Sequence, residues 1–414
     1  MLVFFCTMNP KDITIDEFDY PLPDDRIAKY PLAVRHESKL LVSNSTGITD
    51  AQFLNLPQFL EPEDLIIINN TRVIPARLHL YKETGGAVEI FCLDPVNQAH
   101  QDAMSASSGV RWKCLVGGAK KWKEDQVLSL PVVIDGVERV LRARNHGRIH
   151  DAFIIEFTWN DNQIVFSQIL DAAGLIPLPP YFNREAEQSD IERYQTIFAK
   201  YKGSVAAPTA SLHFTDEVFD ALRAKGVQLE EITLHVGAGT FKPVNDGALG
   251  NHEMHDEWFS VPLNIIKRLR DKKYHRLIAA GTTAMRTLES LYPIGIKLMN
   301  SAGNIQDTLT LGQWDAYERV SNITREQAFD AIISYMELHQ LESLCATSAL
   351  LIAPGFQFQC CDAIITNFHQ PKSTLLVLIS AFVGERRKQI YNHALNHDYR
   401  FLSYGDSSLL WRED

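Results

Sequence analysis

His213 and His235 stand at the two ends of one predicted helix-to-strand unit, in A-A-P-T-A-S-L-H-F (206–214) and T-L-H-V-G-A-G-T-F-K-P-V (233–244). An imidazole exchanges protons near neutral pH, and small, hydroxylated and glycine neighbours leave room for a ligand beside it. A third histidine, His369, follows a short apolar run in T-N-F-H-Q-P-K-S (366–373). One such residue is more often structural. Three in comparable positions point to acid–base chemistry, with core filling as the competing explanation for each.

Other residues suit holding a ligand. Gly281-Thr282-Thr283 opens a predicted helix that carries Arg286 and Glu289. Free N–H groups, hydroxyls and the positive end of the helix dipole fit a carboxylate or phosphate there. The plainer alternative is simple capping with an Arg286–Glu289 surface pair at i, i+3. Thr209 and Ser211 precede His213, Asn367 precedes His369, and Gly237, Gly239 and Thr240 follow His235. The G-x-G has no third glycine and no following helix, so the dinucleotide fingerprint fails; a close backbone approach to a ligand and a tight turn both remain. H-E-M-H (252–255) has a spacing that does not put two imidazoles on one helical face, and no third ligand is evident. No metal site is expected from it.

The elements that must position these residues read as an α/β layer. Continuous apolar runs at 64–69, 276–280 and 362–366 fit strands buried on both faces. Each ends in a polar loop: Asn69-Asn70-Thr71-Arg72, Gly281-Thr282-Thr283 and Asn367-Phe368-His369. Helices are expected over 284–291 and 373–383. Thr215 is the predicted N-cap of another over 216–225, closed by Gly226, after which Ile232, Leu234 and Val236 alternate with Thr233 and His235 as a strand. In such sheets ligands gather beyond the carboxyl ends of the strands.

Between 79 and 159 the texture changes to short alternating segments at 88–93, 111–116, 127–134, 139–144 and 152–157, punctuated by Gly85-Gly86 and Gly117-Gly118. The expectation is a larger α/β domain, 1–78 plus 160–414, with a small antiparallel β-barrel or sandwich inserted at 79–159. The proline-rich return path 174–181 should be extended, and 293–317 reads as irregular.

With 414 residues, 45% hydrophobic and 22% charged, the chain can bury a full core. Its formal charge of -11 argues against a polyanion gripped by the whole surface, so nucleic-acid binding must be regional. The insert differs: from His79 to His150 there are ten Lys/Arg against eight Asp/Glu, and 30 against 43 elsewhere. Lys113, Lys120, Lys121 and Lys123, interleaved with Trp112 and Trp122, are placed to follow phosphates while an aromatic stacks on a base; a solvated hairpin is the competing explanation. Six cysteines without C-x-x-C spacing argue against a zinc ribbon or redox pair and fit a reducing cytoplasm. No apolar run approaches the ~18 residues of a membrane span, and the apolar start Leu2–Cys6 is too short for a signal segment. Neither export nor membrane insertion is expected.

These segments, with F-D-Y-P-L-P (18–23), N-N-T-R-V-I-P-A-R-L (69–78), P-L-P-P-Y (177–181), G-T-T-A-M-R-T-L-E-S (281–290) and Y-R-F-L-S-Y-G-D (399–406), occur in an order that closely resembles the S-adenosylmethionine:tRNA ribosyltransferase-isomerases of queuosine biosynthesis. The resemblance implies an α/β domain with an inserted β-barrel. It also implies transfer and isomerisation of the ribosyl part of S-adenosylmethionine onto 7-aminomethyl-7-deazaguanine at the tRNA wobble position, giving epoxyqueuosine-tRNA, methionine and adenine. S-adenosylmethionine is then a consumed substrate, with no metal or bound cofactor, and a monomer is expected. His213 or His235 would be the base at C5′ and His369 an alternative proton carrier. Arg286, Thr282 and Thr283 would hold the methionine carboxylate; Asn70 and Arg72 would contact ribose or RNA phosphate. Two departures stand out: Ser211 replaces the usual glycine, and Ala284-Met285 the usual serine-valine. An S-adenosylmethionine-dependent RNA methyltransferase lacks support because no glycine-rich first strand-to-helix loop is found. A non-catalytic RNA-binding protein would need no strand-end histidines.

Overall fold

The computed structural model describes residues 9–119, 122–123, 126–150, 152–237, 247–300, 309–317 and 323–412. Ten of the described strands form one sheet. At its centre Gln228–Leu234, Leu65–Asn69, Leu277–Ala280 and Ala363–Asn367 lie side by side and all parallel. Antiparallel neighbours flank them: Glu257–Pro262 and then Ser343–Ser348 on one side, Ser407–Trp411 on the other. Lys39–Asn44 and Gly47–Gln52 complete the latter edge, and the short Thr310–Leu311 the former.

The central strands are buried on both faces, as their unbroken apolar runs require. Alternation sends Leu65, Ile67, Ala279 and Ile364 into one core with the helices Leu263–Asp271, Thr282–Asn300, Arg325–Leu338 and Thr374–Val383. Ile66, Ile68, Ile278 and Ile365 enter the opposite core, covered by the helix Asp216–Ala224 through Val218, Phe219 and Leu222. Because all four strands run the same way, Asn69, Leu234, Ala280 and Asn367 reach the same carboxyl edge.

The chain leaves this layer after Thr71–Val73 and builds a closed six-stranded barrel, in the cyclic order Ala152–Thr158, Val110–Gly117, Ala87–Pro95, Arg77–Tyr81, Val127–Ile134, Val137–Ile149. Five of these strands coincide with the alternating segments of the sequence. The sixth, Arg77–Tyr81, was not anticipated; its Leu78 and Leu80 are buried in the barrel while His79 and Tyr81 face out. The helix Phe166–Ala173 supplies Phe166, Ile169 and Leu170 to the same core.

Two expectations are corrected. Residues 293–300, read as irregular, belong to the helix Thr282–Asn300, which runs through Pro293. A proline there removes one N–H donor, but burial of Leu291, Ile294 and Ile296 outweighs it. Trp112 and Trp122 are 0% and 5% exposed inside the barrel, so neither is free to stack on a base. Trp112 shares its strand face with Val110 and Cys114, the inward set. No described helix is long and apolar enough to cross a membrane.

Candidate active site

Beyond the carboxyl edge, a cleft is lined by Thr209, Thr282, Thr283, Asn367 and His369, with Tyr181 opposite. The loops reach it for backbone reasons. Gly281 adopts φ +102°, a left-handed value closed to most side chains, and its N–H donates to the Ile365 carbonyl at 2.8 Å. Its own carbonyl accepts from Met285 N–H, so the helix begins here and its first-turn N–H groups have no intrahelical acceptors. Thr209 Oγ1 donates to Asn367 Oδ1 at 3.0 Å, tying the 206–214 loop to the neighbouring strand end.

The three histidines are not gathered around one point. His369 lines this cleft: its Nε2 lies 2.9 Å from Thr366 Oγ1, its N–H donates to Tyr391 Oη at 3.1 Å, and its carbonyl accepts from Tyr20. His213 sits one layer behind, against Phe53, with Nε2 3.3 Å from Asn367 Nδ2. Asn367 therefore stands between His213 and the cleft. His235 belongs to a second cleft, between the sheet and the barrel, where Asn70, His100, Lys200, Tyr201 and Trp258 also lie. Its ring stacks on Trp258 at 5.0 Å and tilts against His100 at 4.8 Å, and Nδ1 is 2.9 Å from Thr71 Oγ1. A Cβ on Gly203 would fall 2.7 Å from His235 Nε2, so only glycine lets the Tyr201–Ser204 strand close over the ring.

His235 and Val236, adjacent in the chain, face opposite clefts, and this short segment is the wall between them. The strand-end cleft encloses about 80 Å³ and the barrel-side cleft about 780 Å³. The second is the roomier of the two.

Burial pushes all three imidazoles below their ordinary value: His213 to about 4, His369 to about 3, and His235 to about 3 with a further contribution from His100. Each is neutral at pH 7. A group that must be neutral loses function only as pH falls through its folded value. Any proton transfer to one of these histidines is therefore expected to show no acidic limb in kcat/KM near pH 6.5 and to hold from pH 7 to about 5. A limb at 6.5 assigned to any of these histidines by substitution would contradict their burial.

The remaining candidates divide. Asn70 is buried, donates from Nδ2 to Glu231 at 3.0 Å and accepts from Thr233 Oγ1 at 2.8 Å. Arg72 is exposed on the Thr71–Val73 strand, away from both clefts. Arg286 does not line the strand-end cleft; it is buried in an ion pair with Glu257, whose other oxygen accepts the Gly237 N–H at 3.3 Å. Glu289 is no surface partner either: it is fully buried and accepts N–H bonds from Gln359, Cys360 and Cys361 at 2.8–3.1 Å. Gly239, Thr240, Lys120 and Lys121 lie outside the described residues, and Lys123 is exposed.

Ala284 and Met285 are wholly buried in the sheet core, so the departure there does not touch the cleft. Ser211 is also fully buried, in the turn Thr209–Ser211, and its φ is not left-handed. That backbone has no need of glycine. Its hydroxyl has no partner among the described residues. Ser211→Ala is accordingly expected to leave stability unchanged or raise it by about 1 kcal/mol in urea denaturation; a loss of similar size would reveal a partner for the hydroxyl.

Sequence reading missed His100, Tyr181 and Ser403. His100 sits on a six-residue helix inside the insert, with no periodic signal. Tyr181 Oη and Ser403 Oγ are 2.5 Å apart at the cleft wall, a pairing across distant segments. Asp406 spends its carboxylate on Lys39 N–H and Arg400, while its carbonyl lies 3.4 Å from Asn367 Nδ2.

Parallel strands that deliver polar loops to one edge, with a closed barrel inserted beside it, define an α/β protein of the kind whose ligands gather at the carboxyl edge of the sheet. The chain belongs to the queuosine biosynthesis protein family, whose family model matches residues 15–410. It is 38% identical over 405 residues to the S-adenosylmethionine:tRNA ribosyltransferase-isomerase of Azoarcus sp. (strain BH72), covering 97% of this chain and 99% of that protein. It is likewise 38% identical over 399 residues to the protein of that name from Pelodictyon phaeoclathratiforme, covering 95% and 98%. The crystal structure of S-adenosylmethionine tRNA ribosyltransferase from Thermotoga maritima is 28% identical, with a TM-score of 0.45 over 95% of this chain and 99% of that one.

Proposed function

We propose that this enzyme transfers and isomerises the ribosyl part of S-adenosylmethionine onto 7-aminomethyl-7-deazaguanine at the wobble position of tRNA, releasing methionine and adenine. The observation that carries the reading is the convergence of Thr209, Thr282, Thr283, Asn367 and His369 on one strand-end cleft. The sulfonium acidifies the C5′ hydrogens, so a base is needed there, and the departing adenine needs a proton. A neutral imidazole serves both needs in turn, because the proton it takes makes it an acid. The helix N-terminus at Thr282 and Thr283 fits the methionine carboxylate, and that charge, placed near His369, would raise the imidazole from its low value towards working range.

The barrel-side cleft suits the tRNA. Its size and the His100–His235–Trp258 rings favour a nucleobase, and Lys200 and Lys202 stand at its rim. Those lysines now hold Glu231 and Asp171, so a phosphate has to displace a carboxylate to use them.

The deciding assay incubates the protein with S-adenosylmethionine and precursor tRNA. Adenine together with methionine is the expected outcome. S-adenosylhomocysteine would instead mean methyl transfer, and the absence of any small product would leave a binding protein.

A further inference from the structure

We propose that Asp50, His393 and His397 form a binding site for a zinc-class divalent cation at the outer edge of the main sheet. One ligand atom from each lies within 4.8 Å of the others. Asp50 is on Gly47–Gln52, the terminal strand of the sheet, and the two histidines sit four residues apart at the end of the helix Arg386–Asn396. That spacing puts both imidazoles on one side of the helix, and their rings lie face to face at 3.8 Å with a 13° angle between planes.

The hydrogen bonds already select the donor nitrogens, and a rotation of one stacked ring is what brings both lone pairs onto one ion. His397 Nδ1 is 2.8 Å from the His393 carbonyl, so Nδ1 carries the proton and Nε2 keeps its lone pair. A ligating histidine commonly anchors its other nitrogen in this way. His393 Nε2 meets both Asp50 oxygens at 2.9 Å, a separation close to the ~3.4 Å edge of a tetrahedral site. A cation takes the place of the proton between them and releases it to solvent. Tyr399 Oη donates to Asp50 Oδ1 at 2.6 Å as an outer support.

The donor set selects the ion. Two imidazoles and one carboxylate suit zinc or a neighbouring first-row metal with a water in the fourth position, whereas magnesium prefers oxygen ligands. Bound there, the ion would clamp the last helix to a strand that is paired on one side only. The ribosyl-transfer reading does not depend on it.

The test is titration of metal-stripped full-length protein with zinc chloride by calorimetry, and with cobalt(II) by visible absorption. One equivalent should bind, with magnesium not competing, and the melting temperature should rise. Asp50→Asn and His397→Ala should each weaken zinc binding roughly tenfold or more, while circular dichroism of the metal-free variants matches the parent. No stoichiometric binding, or unchanged affinity in both variants, would overturn the proposal. So would a comparable loss in His255→Ala alone, which would move the ion to the 252–255 segment.

Discussion

Turnover of His369→Ala is expected to fall about 10²-fold or more with the fold intact, which is the scale at which a positioned proton carrier contributes. The backbone of residue 369 is pinned independently of its ring, through the N–H bond to Tyr391 and the carbonyl bond from Tyr20. Removing the imidazole thus empties the cleft wall without releasing the loop. His213→Ala should also slow turnover, but through Asn367, which it steadies from behind; Thr209→Val, which removes a second support of Asn367, should act in the same direction. His235→Ala should raise the KM for tRNA more than it lowers kcat, because that ring builds the barrel-side cleft. Near-normal turnover in both His369→Ala and His213→Ala would remove acid–base catalysis from this cleft.

Arg286→Ala is expected to destabilise the protein by about 3–5 kcal/mol in urea denaturation, since it strips a buried Glu257 of its guanidinium. Burial lowers the Arg286 guanidinium to about 10, so it is still cationic at neutral pH. The experiment also separates two roles. An arginine that holds the substrate carboxylate would raise the KM for S-adenosylmethionine with little change in stability. A structural partner of Glu257 would do the reverse, and replacing both residues by apolar ones of similar volume should recover much of the loss.

The strand ends were legible because a parallel strand buried on both faces is written as an unbroken apolar run, and the polar residue that follows it has to surface at the carboxyl edge. Asn70, Thr282, Asn367 and His369 were placed by that rule, and the helix from 216 by its Thr215 cap and closing Gly226. Convergence was not legible. Whether three strand-end histidines share one cleft depends on which face each loop turns to, and a single residue decides it between His235 and Val236. Parity misled the reading of the barrel as well: Trp112 looked like a stacking platform among lysines, yet it occupies the inward set of its strand. For Arg286 a carboxylate-holding role and a surface pair with Glu289 both stood open, because the sequence shows the spacing on the helix but not Glu257 or the 359–361 turn.

The insertion of the barrel has a further consequence, for the order of assembly. The Leu65–Asn69 strand finds both of its partners, Gln228–Leu234 and Leu277–Ala280, only beyond the barrel in the chain. The barrel, by contrast, finds all its partners within its own span, four of its six pairings joining strands consecutive in the chain. During synthesis it can close while the strand that precedes it waits with unsatisfied edges, exposed to misassociation. Once it is closed and Leu175 is bridged to Arg77, the loop that the central sheet still has to close is shorter.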